Sequence, residues 1–110
     1  MRYFNARGVM LCLLAAAAPA AVAEEPEVLE LGRRVFIESA QPPCGLCHTL
    51  ADARTTGKVG PILDVLRPDA DRVRNAVVNG IGPMRPNEVL TDEEVEAVAL
   101  YVSSVAGESD

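Results

Sequence analysis

Cys44, Cys47 and His48 stand together in the pentapeptide CGLCH, and no other short stretch of the chain gathers as much reactive chemistry. Two thiols separated by two residues can cycle between dithiol and disulfide, can ligate a metal ion, or can form thioethers to the vinyl groups of a haem. In the last case the adjacent histidine is placed to bind the iron from one face. The sequence contains a single histidine, so the three chemistries compete for the same residue.

A thiol redox pair is normally set at a helix N-terminus just after a strand, where the dipole lowers the first thiol's pKa. No strand-like pattern precedes Cys44. A structural disulfide is possible in an oxidising compartment, but it would close a very small loop and leave His48 without a task. A closed zinc site wants four Cys or His ligands, and outside residues 1–23, read below as a leader, the chain offers three. A carboxylate could complete the set only in strained geometry. Haem attachment accounts for every member of the motif.

The leader, MRYFNARGVMLCLLAAAAPAAVA, begins with Arg2 and Arg7, continues through an apolar run from Val9 to about Ala18, and ends in Ala21-Val22-Ala23 before two glutamates. Basic lead, apolar stretch and small-x-small end describe a cleaved secretory signal. An uncleaved anchor is the other reading, opposed by Pro19 and by a run shorter than the ~20 apolar residues a bilayer requires. Cleavage after Ala23 leaves residues 24–110 as the folded domain. It removes two of ten basic residues and none of the sixteen acidic ones, so the net charge moves from −6 to 8 − 16 = −8. Such acidity argues against nucleic acid or an anionic membrane as a partner. A domain this small, with no Trp and with Phe36 and Tyr101 as its aromatics, is short of core; chains of this size commonly lean on a metal, a disulfide or another staple.

Three segments show helical periodicity, and none alternates long enough to make a convincing strand. Residues 26–39, PEVLELGRRVFIES, open on a proline and align Val28, Leu31 and Val35, with Leu29, Gly32 and Phe36 beside them. Gly32, one turn before Phe36, offers a place where another helix can come close. Residues 69–79, DADRVRNAVVN, repeat Ala70, Val73 and Val77 and stop at Gly80. The third, LTDEEVEAVALYVSSV, carries a capping box in Thr91 and Glu94 and a hydrophobic staple in Leu90 and Val95. Its apolar face is Val95, Val98, Val102 and Val105, with Tyr101 alongside. Gly107 ends it, and the polar ESD tail is expected to fray. The connectors QPP, RTTGKVGP and NGIGPMRPN are rich in turn residues, and there are no internal repeats.

With CGLCH, GPIL at Gly60–Leu63 and GIGPMRP around Met84, the chain resembles the small monohaem class I cytochromes c over residues 26–106, and Gly32 and Phe36 with Val98 and Tyr101 resemble the family's crossing of first and last helices. The resemblance implies an all-α fold of three or more helices around one covalently bound haem c, with the first and last helices crossing. It implies thioethers from Cys44 and Cys47, His48 as one axial iron ligand, a Pro61 carbonyl accepting from the imidazole, and Leu63 packing on the haem. Pro61 also reads as a simple turn proline and Leu63 as an ordinary core leucine.

A class I site needs a second axial ligand. His48 has no histidine partner in the chain, and Met84 is the one methionine outside the leader, seated in a glycine and proline loop. The competing reading is a surface or core methionine. Histidine and methionine ligation raises the potential and fills both axial positions, which favours outer-sphere electron transfer over catalysis. Many relatives follow the methionine with Pro-Pro, whereas Arg85 intervenes here; it reads as a solvated side chain or as a positive spot near the haem edge. The expected protein is a periplasmic electron carrier, not an enzyme, with a dehydrogenase as donor and a cytochrome or oxidase as acceptor, and without stable membrane insertion. The segments CGLCHTLADA and NGIGPM are also similar to cytochromes that accept electrons from periplasmic sulfite dehydrogenases. A haem subunit permanently docked on such a dehydrogenase is therefore the alternative, and haem catalysis at an open sixth position a third.

Overall fold

Pro26 starts helix α1 (Pro26–Arg34), where its missing N–H is no loss because the first turn's amides have no intrahelical partner. Glu27 in the first turn and Arg33 and Arg34 in the last complement the helix dipole. The computed structural model describes residues 26–108. The expected leader with its cut after Ala23, and the last two residues of the tail, lie outside the described residues.

The first helical segment is not one regular helix. Beyond Arg34 the backbone widens into a π turn over Val35–Ser39, closed by Ala40 N–H donating to the Val35 carbonyl at 3.1 Å. Val35, Phe36 and Ala40 are all buried around this wider turn. Single-turn π segments leave no periodicity signal of their own, so the sequence pattern alone reads through them.

Two one-turn helices follow, α2 (Cys44–Cys47) and α3 (Leu63–Leu66). Between them lies a small antiparallel ladder, β1 (Thr49–Leu50) with β2 (Thr55–Thr56), in the register Thr49 to Thr56 and Leu50 to Thr55. The expectation of no strand is thus corrected. Two-residue strands are too short to show alternation, and threonine hydroxyls rather than length stabilise this one: Leu50 N–H donates to Thr55 Oγ1 at 3.1 Å.

Helix α4 (Ala70–Asn79) is capped by Asp69, whose side chain accepts from Arg72 N–H at 2.8 Å. It ends at Gly80, with φ of 72°. Helix α5 (Asp92–Val105) carries the full capping box, Thr91 and Glu94 exchanging side-chain and backbone bonds at 3.1 Å each. Leu90 and Val95 pack into the same core. Arg74 of α4 reaches Glu96 of α5 through two hydrogen bonds of 2.8 and 2.7 Å.

The core is made by α1, its π extension, and α5, with Phe36, Tyr101, Leu50, Val35, Val98 and Val102 fully buried. Gly32 of α1 meets α5 backbone to backbone: a Cβ there would lie 2.8 Å from the carbonyl carbon of Ala97 and closer still to Tyr101 Cβ. The rings of Phe36 and Tyr101 then stand edge to face, centroids 6.2 Å apart at 64°, an arrangement favoured by the aromatic quadrupoles. Among the described residues, no helix is long and apolar enough to cross a membrane.

Candidate functional site

His48 caps the C-terminal end of α2 in an extended conformation, its N–H donating to the Cys44 carbonyl at 2.9 Å. Its own carbonyl accepts from the Thr55 hydroxyl at 2.9 Å. The imidazole Nδ1 lies 2.9 Å from the carbonyl oxygen of Pro61. A carbonyl can only accept, so Nδ1 carries a proton, and in the neutral ring the lone pair is on Nε2. The ring is therefore held in one tautomer and one orientation with a ligating nitrogen free.

Glycines make room for this arrangement. A Cβ at Gly60 would lie 2.8 Å from Nδ1 and 3.0 Å from Nε2 of His48, so the ring lies close against Gly60. A Cβ at Gly57 would collide with the Cys47–His48 peptide. Gly60 N–H also donates to the Cys47 carbonyl at 2.7 Å. The segment Gly57–Pro61 thus folds back against CGLCH and grips it by backbone contact.

Cys44 and Cys47 are half-buried and not joined to one another. Burial pushes the Cys44 thiol up to about 11, and the neighbouring Cys47 adds to the rise. A thiol with that pKa stays protonated at neutral pH, the opposite of what redox thiol chemistry requires. Neither does the surrounding chain favour zinc: among the described residues no three His, Cys, Asp or Glu side chains are grouped to hold a metal ion.

Met84 lies in the loop between α4 and α5. Ile81 N–H donates to the Met84 carbonyl and Met84 N–H to the Ile81 carbonyl, both at 2.9 Å, which closes the intervening Gly82-Pro83 corner. Gly82 takes a φ of 52° there, a conformation that glycine reaches without strain. The Met84 side chain is half-buried and packs on the same hydrophobic cluster as Cys44.

Leu63 is buried in that cluster at the start of α3. Arg85 is exposed and, among the described residues, makes no ion pair.

Several supporting residues were not foreseen from sequence. Thr55 and Gly57 hold the backbone of His48. Asp64 accepts from Ala51 N–H at 2.9 Å and from Gly107 N–H at 3.0 Å, tying the strand after His48 to the end of α5. Asp52 accepts from the Tyr101 hydroxyl at 2.5 Å. Only the two glycines flanking Lys58 and Val59 offered a signal, since paired glycines near a motif mark close backbone approach.

Known proteins resemble this chain over most of its length. Residues 29–102 match the family model described as cytochrome C oxidase, cbb3-type, subunit III. The chain is also similar to a solved structure, the crystal structure of the c-type cytochrome SorU from Sinorhizobium meliloti. The identity is 66%, the TM-score is 0.74, and the match covers 76% of this chain and 95% of that one. Curated protein sequences give no match.

Proposed function

We propose that this chain, which belongs to the cytochrome c family through its cbb3-type domain, is a periplasmic carrier of single electrons built on one haem. Membership implies covalently bound haem c with iron, and an electron-transfer protein in place of a catalytic enzyme. When bound, the haem supplies a one-electron couple between ferric and ferrous iron.

The residues fit that group. Cys44 and Cys47 take the role of thioether donors, and His48 that of axial ligand, its Nε2 left available by the 2.9 Å contact of Nδ1 with the Pro61 carbonyl. That contact is the observation that carries the reading, because such a partner fixes the ring and raises the basicity of the ligating nitrogen. Met84 takes the role of second axial ligand and Leu63 that of an apolar wall. Leu46, Val59, Ile62 and Ile81 are exposed in the very segments that bear CGLCH, Pro61 and Met84. Apolar side chains so placed suit burial under a macrocycle.

The chain's part is to hold both axial residues still, so that little rearranges when the electron arrives. Partners are a donor dehydrogenase and an acceptor cytochrome or oxidase, met briefly through small interfaces with charge steering. The similarity of CGLCHTLADA and NGIGPM to cytochromes served by sulfite dehydrogenases makes such an enzyme the leading donor. Permanent docking on it is the second reading; co-purification of a stoichiometric molybdenum enzyme would favour docking, and equal reduction by unrelated donors would oppose it.

Mass spectrometry of the exported protein tests the proposal. A chain beginning at Glu24 and heavier by one haem is expected. A folded, colourless chain at its unmodified mass would end it.

A further inference from the structure

We propose that Asn87 is a positioning residue that clasps the Met84 loop to the segment leading into Cys44, and so sets how readily Met84 leaves the iron. The inference rests on the reading of Met84 as axial ligand. The Asn87 side chain accepts from Gln41 N–H at 3.4 Å and donates to the Gln41 carbonyl at 3.3 Å. Its own N–H donates to the Val77 carbonyl at 2.8 Å. One residue thus joins the end of α4, the Met84 loop and the approach to CGLCH.

Its position in the hydrogen-bond pattern is singular. Among the described residues, no other hydrogen bond links residues 80–90 with residues 40–48. The corner from Ile81 to Met84 is closed upon itself and contributes nothing to that link. Pro86 packs against Gly80, which fixes the exit from the corner to its entry but not to the far side of the site. Without the clasp, the corner would be held across the site by apolar packing alone.

The chemistry is specific to an amide. Asparagine presents one acceptor and one donor side by side, matching the N–H and C=O of a single residue. Aspartate keeps the acceptor but sets a carboxylate oxygen against the Gln41 carbonyl. Each bond is long, and the pair together is worth about one ordinary net hydrogen bond, on the order of two- to tenfold in an opening equilibrium.

The test uses imidazole, which binds ferric iron only where the sixth position opens. In the haem-loaded protein, Asn87→Ala is expected to bind imidazole about two- to tenfold more tightly than wild type, and Asn87→Asp to do likewise. Tyr101→Phe, which loses a hydrogen bond elsewhere, is expected to leave the affinity unchanged and so separates the clasp from general loosening. Hydrogen exchange at the Gln41 amide should quicken in both Asn87 variants. Met84→Ala provides the ceiling. If it binds imidazole no better than wild type, the ligand assignment falls and the clasp with it. If Met84→Ala gains but both Asn87 variants match wild type, or Tyr101→Phe gains as much as they do, the clasp alone is overturned. Should Asn87→Ala not yield folded protein, Asn87→Asp and the exchange rate decide.

Discussion

Gly60 lies so near His48 that a methyl group on it would stand 2.8 Å from Nδ1, as close as the Pro61 carbonyl oxygen that this nitrogen meets at 2.9 Å. The glycine and the carbonyl are neighbours in sequence, and together they confine the ring. Gly60→Ala is expected to push the imidazole off that carbonyl or to displace the Gly57–Pro61 segment. Overpacking of this kind costs about 1–3 kcal/mol. Denaturant unfolding of the haem-loaded variant, with the haem-to-protein ratio after export, reads both effects; wild-type values in each would mean that the segment yields freely.

Met84→Ala is expected to remove the sulfur-to-iron charge-transfer band of the oxidised protein and to admit carbon monoxide to the reduced one. The potential should fall by on the order of 0.1 V or more, within the ~0.8 V that axial ligands command. Spectra and a redox titration suffice. An unchanged band and potential would mean that Met84 is an ordinary packing residue.

Tyr101 couples stability to alkaline pH. Burial, and then the hydrogen bond to Asp52, raise its phenol well above the ordinary value. The folded state therefore keeps the proton after the unfolded chain has lost it. Between the unfolded phenol's pKa, about 10, and the higher folded value, the unfolded state binds fewer protons and stability falls as pH rises. Below pH 10 this contribution is intact. Tyr101→Phe should cost roughly 1–2 kcal/mol at neutral pH through the lost bond and should flatten the phenol's part of the alkaline decline. Urea unfolding of both proteins from pH 8 to 11 makes the comparison; parallel curves would contradict it.

Asp64 holds two backbone amides, those of Ala51 and Gly107, with its two carboxylate oxygens. Asp64→Asn retains one acceptor and turns an N–H donor toward the other amide. A loss of about 1–3 kcal/mol is expected, and the amides of Ala51 and Gly107 should exchange faster than in wild type. Unaltered exchange at Gly107 would show that α5 ends securely without this tie.

The parts of the fold that were legible in the sequence are those where one side chain has a local physical cause. Thr91 and Glu94 stand at capping-box spacing, and the box forms with both bonds. Gly32 and Phe36 stand one turn apart, and they meet Ala97 and Tyr101. CGLCH, Pro61 and Leu63 likewise announced a family whose membership the comparisons establish. What escaped detection depends on partners remote in sequence. The bonds of Asn87 to Gln41, Asp64 to Gly107 and Tyr101 to Asp52 each span more than forty residues, and an asparagine or aspartate in a loop carries no mark in the sequence of a distant donor. The π turn and the two-residue strands were hidden for another reason, being shorter than any periodicity that could reveal them.

The corner in which Ile81 and Met84 satisfy each other's main-chain groups makes both of its bonds between its own ends. Its shape is therefore set locally. If haem is held as proposed, Cys44 and Cys47 would carry it beside an imidazole already oriented by the Pro61 carbonyl, and Met84 would be offered from a turn whose main-chain groups are already satisfied. Such a turn could shift as one piece, so that seating or releasing the Met84 sulfur would cost side-chain packing and leave the local backbone bonds intact.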